Sequence, residues 1–231
     1  MAFLFKGKKC MAVHHPSLDL LQAYSAGNVH QALALAIAAH SSMCSVCRQR
    51  LAQLNEIGGT LLENVTPVEL SSNSWQALQA RLQQPEVLQR QGEKAEPKPE
   101  GTHSSLPAPL NKLMPQGLPK KFTRIGWSLR QATLKIMNDG TVIALHHIRA
   151  GGKTPRHTHE GQEVTLVLEG SFSDENGLYQ PGDFLLVDEH TNHRPTASKN
   201  EDCLCFTVQL APLKLTGPIG KWFNPIIRAL Q

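Results

Sequence analysis

Apolar residues recur at helical steps in the first third of the chain and in short strand-like runs over its last half. After His15-Pro16-Ser17, the positions Leu18, Leu20, Leu21 and Tyr24 fit one helix, with Asp19 in the first turn and Ser17 placed to cap it. Ala26-Gly27-Asn28 ends that helix. A second begins near Val29 and runs through Ala32-Leu33-Ala34-Leu35-Ala36-Ile37-Ala38-Ala39. It is apolar nearly all round and rich in the best helix former, which predicts burial. A third helix carries Cys44, Cys47, Leu51 and Leu54 and is expected to stop at Gly58-Gly59. The pattern alone leaves open whether the second helix runs straight into His40 or breaks near Ser41-Ser42. After Thr66-Pro67, residues 71–82 predict a fourth helix with a Trp75, Leu78, Leu82 stripe.

The character changes over residues 84–120, where seven of the chain's 15 prolines fall among Gln, Lys, Glu and Ser. Such a stretch cannot bury enough apolar area to order itself and is expected to be a flexible linker, with Leu110, Leu113 and Met114 as candidates for docking. From Phe122 the runs are strand-like. Residues 133–137 and 141–148 flank Asn138-Asp139-Gly140, a strong hairpin signal. Residues 163–169, 184–188 and 203–210 follow, separated by Gly and Pro turns, which predicts a sandwich or barrel. Residues 219–228 are expected to form a short amphipathic helix. The expected division is an extension at 1–10, a helical domain at 11–83, the linker at 84–120 and a β domain at 121–231.

At 231 residues the chain can build two modest cores. No apolar run approaches the length that spans a bilayer, and Met1-Ala-Phe-Leu-Phe-Lys6 is too short for the apolar part of a secretion signal. The expectation is a cytoplasmic protein with no membrane partner. Five cysteines, as Cys-x2-Cys, Cys-x-Cys and a lone Cys10, suit a reducing compartment and metal work better than a disulfide framework. The net charge of +4 divides unevenly: residues 1–10 carry +3, 11–83 carry −1, and 84–120 and 121–231 carry +1 each. No globular part is basic, which weighs against direct nucleic-acid binding. Met11 can itself be a start, leaving residues 1–10 as an extension.

Two constellations carry chemistry. His40, Cys44 and Cys47 stand at i, i+4 and i+7, spacing that puts all three on one face of a helix. One imidazole and two thiols are three quarters of a tetrahedral zinc site, and His14 or His15 can supply the fourth ligand. The alternative is a pair of buried or redox cysteines beside a helix-end histidine. Further on, Gly151 is followed by His157, His159, Glu163 and Gly170 at the spacing of the first cupin motif. His157 and His159 share a strand face, Glu163 opens the next strand, and His193 is the candidate from the second motif. The second motif is looser: Gly182 is present, but Asp188, His190 and Ala197 replace its Pro, second Gly and Asn, and His190 is a possible competing ligand that is expected at the surface. The alternative is a metal-free barrel with polar filling. Cys203 and Cys205 alternate on a strand and are expected to pack in the core or near this site.

A helical zinc module joined to a cupin resembles the ChrR-type zinc-binding anti-sigma factors of bacteria. The resemblance rests on His14-His15-Pro-Ser, Leu-Leu-Gln-Ala-Tyr-Ser-Ala-Gly27, His40-x3-Cys44-x2-Cys47-Arg48 and Gly58-Gly59. In the second half it rests on His157-x-His159-x3-Glu163, His193, Cys203-x-Cys205 and the closing Gly-Pro-Ile-Gly-Lys and Asn-Pro. It implies a multidomain α and β fold, with a small N-terminal helical bundle around zinc and a C-terminal all-β cupin barrel. It implies His15 as the fourth ligand beside His40, Cys44 and Cys47. It also implies Zn²⁺ in that structural site, and Zn²⁺ or another divalent transition metal at His157, His159, Glu163 and His193. The implied partner is an extracytoplasmic-function sigma factor, held by the helical domain and released when the cupin registers a stress such as singlet oxygen. The competing expectation is a cupin metalloenzyme of oxygenase or hydrolase type. Against it, no further acid–base constellation with convincing spacing is present, so no catalytic residue is expected.

Overall fold

Ser17 does cap the first helix: its hydroxyl accepts from the Leu20 N–H, and α1 runs Leu18–Ser25. Gly27, at φ 72°, closes it, as the left-handed conformation requires. In this computed structural model, which describes residues 12–83, 106–211 and 213–216, four further helices follow among the described residues. These are α2 (Gln31–Met43), α3 (Ser45–Glu63), α4 (Ser74–Leu82) and α5 (Ala108–Leu113). The expected extension at 1–10, residues 84–105 of the expected linker and the expected helix at 219–228 lie outside the described residues.

The chain breaks between the second and third helices. Cys44 takes an extended conformation (φ −105°, ψ 112°), and is at once the C-cap of α2 and the N-cap of α3. The expected single helix face through His40, Cys44 and Cys47 is therefore corrected to a corner between two helices. Arg48 pins that corner, donating to the carbonyls of Ser41 and Ser42 at 3.0 Å each, the unpaired end of α2.

A second correction concerns Gly58-Gly59, which do not stop α3. The helix passes through both and ends at Glu63. Two glycines weaken a helix but do not forbid one, and Glu56, Leu61, Leu62 and Glu63 around them are good helix formers. A Cβ at either position would meet nothing within 4 Å. Replacing both with alanine is expected to stabilise α3 by about 1 kcal/mol per site. Slower amide exchange over residues 55–62 checks it.

The apolar periphery of α2 is explained by its surroundings. It packs against α1, α3, α5 and the strands β5 (Glu163–Glu169) and β10 (Cys203–Gln209). α5 falls within the segment that composition reads as linker. Leu106, Leu110 and Met114 are buried there, because they join Leu33, Ala36 and Ile37 of α2 in the common core. α4 has no buried residue at all.

The β domain is antiparallel. Its large sheet has the order β1-β2-β3-β10-β5-β8, with β1 at Thr123–Arg124, β2 at Leu129–Ile136, β3 at Val142–Ile148 and β8 at Phe184–Val187. Two smaller sheets are β11-β4 (Leu213–Leu215 and His157–His159) and β7-β6-β9 (Leu178–Tyr179, Phe172–Ser173 and Thr196–Ala197). The hairpin at Asn138-Asp139-Gly140 joins β2 to β3, with Gly140 at φ 84°. Strand alternation sorts the large sheet into two buried faces. Leu204, Phe206 and Val208 join Leu166 and Ile37 in the core shared with the helices. Cys203 and Cys205 point the other way, joining Phe172, Tyr179 and Ala197 of the small sheet. A strand buried on both faces reads as a continuous apolar run, which is why these segments were legible as strands.

Candidate metal centres

The α2–α3 corner gathers His15, His40, Cys44 and Cys47, with one ligand-type atom from each lying within 4.8 Å of the others. His15 Nδ1 lies 3.4 Å from Cys44 Sγ and 3.5 Å from Cys47 Sγ, and His40 Nε2 lies 3.2 Å from Cys47 Sγ. Zn–N and Zn–S bonds at tetrahedral angles set ligand atoms about 3.6 Å apart, so the donor set fits a zinc ion. Of the histidine pair, His15 turns to the cysteines, while the His14 ring lies 4.6 Å from that of Tyr179, tilted by 48°. His40 Nδ1–H donates to the Gly182 carbonyl at 2.7 Å, which leaves the Nε2 lone pair for the centre. Burial pushes the His40 imidazole down to about 4, and keeps it neutral and ligand-ready. Burial, with Cys44 beside it, pushes the Cys47 thiol up to about 12. The Cys47 thiol needs a cation beside it to ionise, and a bound metal supplies that charge.

In the barrel, β4 presents His157 and His159, and the bridge between His157 and His193 brings the third imidazole in. His157 Nδ1–H donates to the Pro155 carbonyl at 2.8 Å, and His193 Nδ1 sits 3.1 Å from Asp174 Oδ2. With Nδ1 protonated on both rings, the two bare Nε2 atoms face each other at 3.2 Å. Both nitrogens of the buried His159 lack a hydrogen-bond partner. Opposed lone pairs and an orphaned imidazole in a buried site are what a cation would satisfy, and three histidines suit zinc or another divalent transition metal. Burial lowers His157 to about 4, against the pull of Glu163.

Glu163 stands beside this cluster rather than within it. Its Oε2 is 3.4 Å from His159 Nδ1 and accepts from Gln209 Nε2 at 2.9 Å, while Oε1 accepts from Thr165 at 3.2 Å. The mutually close set contains the three imidazoles without it. Burial alone would raise its carboxyl, but His159, His146 and His157 together with the Gln209 bond hold it below the usual range.

His190 is out at the surface; its side chain is 85 % exposed. Asp188, in place of the motif proline, accepts from the His190 N–H and the Thr191 hydroxyl and so shapes the turn itself. Cys203 and Cys205 are buried with their sulfurs 3.6 Å apart. Cys205 lines a cavity of about 520 Å³ onto which His157, Glu163 and His193 open. Two further residues belong to this surrounding. His146 lines the same cavity and pairs with Gln131 at 3.3 Å, and the buried Asp174 orients His193. Asp174 had a faint signal in Asp174-x2-Gly177, where its Oδ1 caps the Asn176 and Gly177 N–H groups.

Residues 127–212 match the family model described as ChrR cupin-like domain. The chain is 35 % identical to the anti-sigma-E factor ChrR of Cereibacter sphaeroides over 217 residues, which is 93 % of this chain and 98 % of that one. It is also similar to the ChrR of the crystal structure of Rhodobacter sphaeroides SigE in complex with the anti-sigma ChrR, with a TM-score of 0.71 and 33 % identity. That similarity covers 86 % of this chain and 99 % of the other.

Proposed function

The chain belongs to the ChrR family of anti-sigma factors, and from that premise we propose that it sequesters a sigma factor of the extracytoplasmic-function class. The helical domain, residues 11–83, does the holding. The cupin domain, residues 121–231, governs release under photo-oxidative stress such as singlet oxygen, and residues 84–120 connect the two.

The observation that carries the reading is the bare apolar surface along α3, the segment after it and the start of α4. Ile57, Leu61, Leu62, Val65, Val68, Leu70 and Trp75 are all at least 59 % exposed, and they follow one another along the chain. A surface of this kind belongs against a partner rather than in water. The slightly acidic charge of residues 11–83 suits a partner with basic, DNA-binding regions. On this reading the protein is a cytoplasmic regulator that does not itself touch DNA. Among the described residues no helix is long and apolar enough to cross a membrane.

Zn²⁺ at His15, His40, Cys44 and Cys47 would cross-link the entry to α1, the end of α2 and the start of α3. In the barrel His157, His159 and His193, with Glu163 beside them, would hold Zn²⁺ or another divalent transition metal, which supplies an electrophilic centre at the cavity wall. That open cavity favours a second reading, a cupin metalloenzyme, for which metal-dependent turnover of a small molecule is the mark.

The test is transcription in vitro from a promoter of the partner sigma factor. The native chain is expected to silence it at one equivalent and to restore it under a singlet-oxygen generator. His157→Ala is expected to silence equally and to stay silent under the generator. Absence of silencing by the native chain would sink the anti-sigma reading; restored transcription with His157→Ala would remove the barrel centre from sensing.

A further inference from the structure

The helical centre is not built by the helical domain alone. Asp183, in the turn that leads into β8, is 1 % exposed. Its Oδ1 accepts from the backbone N–H groups of Val13 at 2.6 Å and His14 at 2.9 Å. Its Oδ2 accepts from the Gln180 N–H at 2.8 Å and lies 3.2 Å from His14 Nδ1. The next residue, Phe184, donates its N–H to the His14 carbonyl at 3.0 Å. The preceding one, Gly182, accepts from His40 Nδ1 at 2.7 Å. Three consecutive residues of the β domain thus grip the peptide groups just before His15 and the ring of His40.

The turn has its own closure without them. Gly182 N–H donates to the Val167 carbonyl and Asp183 N–H to that of Gln180. A buried carboxylate is costly unless its oxygens are filled, and here two of the three backbone donors come from the other domain. With Val13 and His14 pinned, the backbone that carries His15 has a fixed place relative to the cysteines.

We propose that the Gly182–Phe184 turn is the outer shell of the helical metal centre, with Asp183 as its positioning residue, so that the cupin domain sets how firmly His15 and His40 hold the metal. The inference rests on reading His15, His40, Cys44 and Cys47 as a metal site in an anti-sigma factor. It also gives that reading a route. β8 begins at Phe184 and its last residue, Val187, pairs with Glu163, which stands beside the barrel imidazoles. One four-residue strand therefore joins the surroundings of the two centres. The far end of α2 offers an internal comparison. His30 accepts from the Ala32 N–H through Nδ1 and pairs through Nε2 with Asp139 of the β2–β3 hairpin at 2.7 Å. That tie also joins the two domains, but it touches no ligand of the centre.

The experiment uses the full chain loaded with Co²⁺. The thiolate-to-cobalt absorption in the near ultraviolet reports on the cysteine-bearing centre and not on the all-imidazole one. The rate at which EDTA removes that band is measured for the native chain, Asp183→Ala, Asp183→Asn and Asp139→Asn. Asp183→Ala is expected to lose the band about 10-fold faster or more, the usual size of an outer-shell effect. Asp183→Asn, which still offers one acceptor oxygen but turns an amide N–H₂ toward the Gln180 N–H, is expected to fall between and carries the test if the alanine variant does not fold. Asp139→Asn is expected to match the native rate. A native rate for the Asp183 variants overturns the inference, and so does an Asp139→Asn rate as fast as theirs, which would mean general loosening of the domains. A native chain with no thiolate-to-cobalt band would overturn the metal centre itself, and the inference with it.

Discussion

Replacing Cys47 with alanine is expected to release α3 from the rest of the chain while leaving α2 in place on the barrel. The expectation follows from what each helix touches. α2 is held by α5, β5 and β10, and its two ends are tied to Asp139 and Gly182 of the β domain. Among the described residues α3 has only α1 and α2 as its main neighbours, and Cys47 is its one buried residue. A helix with so little apolar burial cannot hold its place by packing, and a structural zinc contributes on the order of 10 kcal/mol to the folding of such small units. Loss of one thiolate removes most of that. The zinc content should fall by one equivalent per chain, and the amides of residues 47–62 should exchange at close to unfolded rates. Those of residues 33–40 should stay protected, and inhibition of the sigma factor should disappear. Treatment of the native chain with a chelator should reproduce the pattern, and re-addition of Zn²⁺ should reverse it. A Cys47→Ala chain that keeps both zinc and α3 protection would show that packing alone builds the helical domain.

The contrast between α2 and α3 also explains what could be read from the amino-acid sequence. Signals confined to one element came through. Ser17 caps α1, Asn138-Asp139-Gly140 makes a hairpin, and His157 and His159 share a strand face because alternation is fixed by the backbone. The break at Cys44 did not come through, although its place beside His40 and Cys47 did, because a spacing of four and three is compatible with one helix and with a corner between two. The corner is set by the convergence of His15 with the cysteines, 29 and 32 residues away along the chain. Gly58-Gly59 misled for a related reason: glycine raises the cost of a helix without specifying an end, and no left-handed cap follows. Asp183 was invisible, since its partners Val13 and His14 are 170 and 169 residues distant, and nothing local marks a carboxylate that will cap another domain's backbone. Glu163 shows the limit of a motif. The spacing announces its place, with Oε2 3.4 Å from His159 Nδ1, but not the bonds its two oxygens accept from Thr165 and Gln209.

Changing Leu61 to lysine and Trp75 to alanine together should strongly weaken sigma binding in a chain that folds normally. Both side chains are exposed, at 67 % and 63 %, so neither supports the core, and surface changes of this kind move stability by about 0.5 kcal/mol or less. Lysine suits position 61, in the last turn of α3, where a positive charge is favoured by the helix dipole. On the proposed reading it would face the basic regions of the partner, so that the change removes apolar area and adds like-charge repulsion. Large apolar residues at the centre of an interface contribute about 2 kcal/mol or more each, roughly a 30-fold change in affinity apiece. The pair should therefore weaken binding by about a thousandfold, read by titrating labelled sigma factor, with zinc content and thermal unfolding unchanged. Leu186→Lys, on the exposed side of β8 in the cupin domain, serves as the comparison and should bind as the native chain does. If the Leu61/Trp75 double variant binds at native affinity, the apolar surface of α3 and α4 is not where the sigma factor sits. If Leu186→Lys binds as weakly as the double variant, the cupin domain takes part in holding sigma, and the helical domain is not the whole of the clamp.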